Sequence, residues 1–96
     1  MLTQTQADAF IAQYIAAHPV KPGADEVWLK DYRISVWAIV GQWKGQSRNV
    51  QRTTDAYGIP IEAVEAALAY YERNQAVIDN RRSQNSPGWD NDELSP

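Results

Sequence analysis

The chain has 96 residues, 44% apolar and 22% charged, with a net charge of −3, which sets one soluble-type domain with a modest core and excludes two independent ones. It has no cysteine, so disulfides and thiolate metal sites are excluded. No apolar run approaches the roughly 20 residues that cross a bilayer, and the start Met-Leu-Thr-Gln-Thr-Gln lacks the regions of a signal peptide, so a cytoplasmic protein is expected.

Charge is unevenly placed. Between Val20 and Arg52 stand Lys21, Lys30, Arg33, Lys44, Arg48 and Arg52 against Asp25, Glu26 and Asp31. Between Thr53 and Asn80 only Arg73 is basic, against Asp55, Glu62, Glu65, Glu72 and Asp79. A basic half can sit on phosphate and an acidic half cannot; the plainer alternative is that both are solvated surface.

A first helix is expected from the pairing of Thr5 and Asp8 as an N-terminal cap, followed by Phe10, Ile11, Tyr14 and Ile15 at helical spacing. It ends by His18-Pro19, since a residue before proline is pushed out of the α region. Val20 to Ala24 is a connector, and residues 1–25 form an added N-terminal element before a core domain over 26–80. Glu26 to Lys30 reads as a strand on Val27, Trp28 and Leu29, with Asp31 as a turn residue and Tyr32-Arg33-Ile34 extended beyond it. Short strands do not stand alone in water, so a homodimer joined through Val27, Trp28 and Leu29 is expected.

Ser35 suits the N-cap of a second helix carrying Val36, Trp37, Ile39, Val40 and Trp43, closed by Gly45. Ser47 suits the cap of a third, running to about Tyr57 and ended by Gly58. Pro60 opens a fourth, in which Ile61, Val64, Leu68 and Tyr71 recur on one face and the pattern continues to about Asn80. From Arg81 to Pro96 periodicity is lost, and the segment reads as a flexible tail with Trp89 and Leu94 as apolar anchors. The fold class expected is mainly α: a helix-turn-helix-like (homeodomain-like) three-helix core with a short β element, an extra N-terminal helix and an extended C-terminal tail.

Arg33-Ile34-Ser35-Val36, Trp37-Ala38-Ile39-Val40, Gly45, Ser47 through Tyr57, Glu62 through Tyr71, and Asn74, Ile78 and Asp79 fall in an order that resembles the bacterial family catalogued as domain of unknown function 433. The match covers about half of the chain. It departs where the family's Gly before Arg-Ile is replaced by Asp31-Tyr32, where its Pro before Val is Ser35, and where the N-terminal region is helical in pattern. The resemblance implies an antitoxin encoded beside a PIN-like ribonuclease toxin. In that role Arg81 and Arg82 would enter an acidic nuclease site, with Trp89 and Leu94 as anchors of a segment that folds on binding.

Chemistry-bearing constellations are scarce. His18 is the lone histidine, and no carboxylate pair, nucleophile–base pair or Gly-rich phosphate loop stands in recognisable context, so neither an enzyme nor a cofactor is expected. The helix opened by Pro60 would be the DNA-reading helix of a helix-turn-helix, yet it offers Glu62 and Glu65 to a phosphate-lined groove. Lys44, Arg48, Asn49 and Arg52 form a better phosphate-contacting edge and the candidate for weak operator binding; the plainer reading is solvent-facing charge. Arg33 reads as structural, and Trp28, Trp37 and Trp43 as core or subunit contact. Two functions stand: an antitoxin-like binding protein that holds a ribonuclease by its tail, and an interaction or oligomerisation module without a DNA role.

Overall fold

The computed structural model describes residues 3–21 and 23–85. It is mainly helical, as expected, with five α-helices and one small sheet among those residues. Helix α1 (Gln4–Tyr14) leads into β1 (Ile15–Ala16), a 3-10 turn at Ala24–Glu26, β2 (Trp28–Leu29) and β3 (Ile34–Ser35). Helices α2 (Val36–Gly45), α3 (Val50–Tyr57), α4 (Ile61–Arg73) and α5 (Gln75–Asn85) follow.

The cap of α1 lies two residues earlier than expected. Thr3 Oγ1 accepts from the Gln6 backbone N–H at 3.1 Å, and Gln6 Oε1 accepts from the Thr3 N–H at 3.0 Å. Gln reaches back to the cap as the motif requires; Asp8 turns instead to Arg73. The helix also stops earlier, at Tyr14, because Ile15 turns extended and pairs with Leu29.

That pairing corrects the expectation of a dimer through an open strand. The sheet order is β1-β2-β3, with both pairs antiparallel, so β2 has neighbours from its own chain on both sides. Val27 and Leu29 lie in the protein's own core, and Trp28 packs its ring on His18 with centroids 4.6 Å apart. A homodimer would have to use another surface.

Ser35 stands at the N-cap of α2 but makes no side-chain cap bond; the Val36 N–H donates to Val27 O at 3.0 Å. Gly45 is the last helical residue and does not provide the left-handed exit. Ser47 does, at φ 57°, followed by Arg48 at φ 59°. The Arg48 N–H donates to Trp43 O at 2.8 Å, the long bond of a Schellman-type ending in which glycine is usual. Ser47 therefore terminates α2, and Asn49 caps α3, its Oδ1 accepting from the Arg52 N–H at 2.8 Å. Gly58, left-handed at φ 65°, ends α3 as expected.

The fourth helix does not run on to Asn80. Asn74 breaks it: its side-chain amide donates to Tyr70 O at 3.0 Å, and its backbone at φ −137° leaves the helix. This is a local side-chain bond competing with the helical ladder. Helix α5 restarts at Gln75 and carries Ile78 into the core and Arg81 against the body.

One core joins the elements. Leu29, Val36, Ile39, Val40, Val64 and Ile78 are fully buried in it, with Ala63, Ala67 and Tyr71 of α4. Helix α4 is covered on a second side by α1, which runs antiparallel to it. Arg73 near the end of α4 pairs with Asp8 and donates to Gln4 O, while Glu62 near its start lies by Tyr14 at the end of α1. Glu62, Ala66, Ala69 and Arg73 recur at helical spacing, so this stripe is the side that α1 covers. Ala66 and Ala69 are buried there, outside the main core.

Candidate functional site

The helix-turn-helix pair is present as α3, the turn Gly58–Pro60 and α4. Its second helix is not free to enter a groove, because α1 lies along it and α2 and α3 hold its other side. What α4 leaves to solvent is Ile61, Glu62, Glu72 and Arg73, the last held against α1, with Glu65, Leu68 and Tyr70 half-buried. Tyr14 beside it has its hydroxyl pKa raised, first by burial and then by the charge of Glu62.

The expected cationic residues stand at the end of α2, in the turn that follows and on the first turn of α3. Lys44, half-buried, lies 3.6 Å from Asp79 and 5.3 Å from the Tyr71 ring centroid. Arg48, exposed, lies over the Trp43 ring at 5.6 Å, and Trp43 packs edgewise on Tyr71. Arg52 is exposed on the first turn of α3. Neither Arg48 nor Arg52 pairs with a carboxylate among the described residues. Asp55, the acid nearest in sequence, accepts from the Gln51 amide at 3.0 Å. Asn49 is committed to capping α3, which makes it a structural residue of this edge.

Arg81 and Arg82 belong to α5, so the expectation of a tail beginning at Arg81 is corrected. Arg81 Nε donates to Glu26 Oε2 at 2.8 Å, with both side chains mostly buried, and its guanidinium lies 4.8 Å from the Trp37 ring centroid. Arg82 lies 3.9 Å from Asp79. Asp79 is a shared node, since it also accepts from the Tyr71 hydroxyl at 2.9 Å and faces Lys44. The sequence reading missed Glu26 and Asp79 as partners. The Glu26–Arg81 pair joins residues 55 positions apart, and no local pattern announces such a contact. Trp89 and Leu94 lie outside the described residues.

Trp37 and Trp43 are both half-buried against the core. Their indole N–H groups are buried without an acceptor among the described residues, so neither offers its donor to a partner at the surface. Arg33 sits exposed in the turn between β2 and β3 at φ 57°. Among the described residues no cluster of His, Asp and Glu could hold a metal ion, and no helix is long and apolar enough to cross a membrane. In comparisons with known proteins, no protein-family model, no curated protein and no solved structure matches this chain.

Proposed function

We propose that this chain is an antitoxin-like, non-catalytic binding protein whose partner is a small PIN-like ribonuclease. The resemblance of the Arg33–Asp79 region suggests the partner class. The observation that carries the binding mode is the position of α1 along α4, which removes the helix that a DNA reader would use. Recognition through protein contact fits a helix-turn-helix unit enclosed in this way.

Within this reading the partner-holding segment is residues 86–96, with Trp89 and Leu94, and no longer includes Arg81, which is engaged with Glu26. The test is co-expression with the tagged product of the neighbouring reading frame in the source genome. Co-purification with a PIN-like nuclease, and loss of its RNA cleavage in the complex, is expected. Truncation after Asn85 keeps α5 intact and should abolish capture. A neighbouring nuclease that is neither bound nor inhibited by the full chain would overturn the proposal.

A further inference from the structure

We infer that the turn between α2 and α3 is a contact surface for nucleic-acid backbone, formed by Lys44, Arg48 and Arg52 and blind to base sequence. The inference stands apart from the ribonuclease reading, since it rests on this turn alone.

Residues 44 to 52 carry three cations, three amide side chains and no acid, in a chain whose net charge is negative. Arg48 and Arg52 are exposed and without carboxylate partners among the described residues, which leaves their guanidinium donors for an incoming anion. Lys44 and Arg82 share the single carboxylate of Asp79, so that neighbouring group keeps a net positive charge.

The backbone sets where Arg48 stands. Ser47 and Arg48 are consecutive non-glycine residues in the left-handed region. Together they end α2 and turn the chain into α3, which leaves position 48 at the corner. A guanidinium at position 48 projects from the corner between two helices. The Trp43 ring beneath it, at 5.6 Å, restrains where it points.

Phosphodiester backbone fits this edge better than an acidic protein does. Duplex DNA presents one charge about every 1.7 Å along its axis, so cations spread over one turn find partners without a fixed spacing. An acidic protein would need a matching constellation. Arg presents the forked donors that suit phosphate. Blindness to sequence follows from α4: its position under α1 and its Glu62 and Glu65 keep the base-reading element of the motif out of the groove.

The test is fluorescence anisotropy of the full chain with a labelled mixed-sequence duplex, starting from about 20 mM salt, because backbone binding is strongest there. With three contacts, affinity should fall about 40-fold between 50 and 200 mM salt; in Arg48→Gln or Arg52→Gln, each with two, it should fall about 12-fold. Lys21→Gln, a change of the same charge elsewhere, should keep the full salt dependence. A shuffled duplex should bind equally. Circular dichroism of each variant should match the parent, and Arg52→Gln, which leaves the strained turn untouched, serves if Arg48→Gln misfolds. No binding at low salt, binding indifferent to both Arg substitutions, or a marked sequence preference would overturn the inference. So would capture of polyglutamate in place of the duplex, which would assign the edge to an acidic protein.

Discussion

The Glu26–Arg81 pair decides whether Arg81 belongs to the fold or to a partner-binding tail. Its N···O distance is 2.8 Å, and the two side chains are only 16% and 13% exposed. Deleting one partner of a buried pair costs about 3–5 kcal/mol, and a pair that keeps some access to water costs less. Arg81→Met should therefore destabilise the protein by about 2–3 kcal/mol, including the loss of the guanidinium over Trp37. Glu26→Gln retains an acceptor and should cost about 1–2 kcal/mol. The double variant should cost less than the sum, with a coupling of about 1–2 kcal/mol. Urea denaturation followed by tryptophan fluorescence reads these values. In a chain of this size, 2 kcal/mol corresponds to a drop in Tm of roughly 8–16 °C. Arg82→Met is the internal control: its contact with Asp79 is 3.9 Å and partly exposed, and it should cost under about 0.5 kcal/mol. If Arg81→Met is as mild as Arg82→Met and additive with Glu26→Gln, Arg81 is not a structural residue, and the sequence-based pairing of Arg81 and Arg82 as nuclease-facing groups returns.

Three further outcomes are expected. Ser47→Gly should stabilise the protein by about 0.5–1 kcal/mol in the same urea assay, because glycine takes the left-handed exit of α2 without steric cost. Ile78→Ala should destabilise it by about 2–5 kcal/mol, since Ile78 is fully buried and α5 would lose its core anchor; an effect under 1 kcal/mol would mean that α5 is only loosely docked. Burial raises the pKa of Tyr57 and Tyr70, and for Tyr70 the charge of Asp25 adds to it. The folded state therefore holds these protons more tightly than the unfolded state. Their contribution is complete below about pH 10 and is lost as pH rises through the folded values. Tyrosinate absorbance should show late-titrating groups, and Tyr57→Phe should flatten the alkaline loss of stability.

The legible part of the fold was the part set by local rules. Gly58 ending α3, Pro60 opening α4 and the periodic Ile61, Val64, Leu68 and Tyr71 are short-range signals, and the helices form where they point. Misreadings arose where two local solutions competed. Thr3 with Gln6 and Thr5 with Asp8 both fit a cap, and only side-chain reach separates them. Ser47 and Asn49 both suit an N-cap, but Ser47 was needed for the exit of α2. Asn74 sits inside an unbroken apolar pattern, and its amide bond to Tyr70 O leaves no trace in periodicity. The strand at Ile15–Ala16 was invisible because its reason lies at Leu29, across the connector. For the candidate site, the exposure of Arg48 and Arg52 was readable from charge, but their placement one turn apart on a helix was not, since Arg48 stands before α3 in the left-handed region. The engagement of Arg81 was not, because its partner is remote in sequence.

The composition of α4 explains why a helix-turn-helix scaffold here is an interior rather than a probe. A helix that reads DNA shows a polar, basic face to the groove and buries one side. This one is buried on two sides. Ala63, Ala67, Val64 and Tyr71 enter the core, and Ala66 and Ala69 lie outside it on the side of α1. Small residues let α1 approach closely, and the charges at the ends of that stripe, Glu62 and Arg73, meet α1 rather than phosphate. Once α4 is spent in this way, the exposed cations Arg48 and Arg52 lie away from it, at the α2–α3 corner. Fold and proposed function separate at this point: α4 supplies packing, and the contacts proposed for this chain rest on residues outside it.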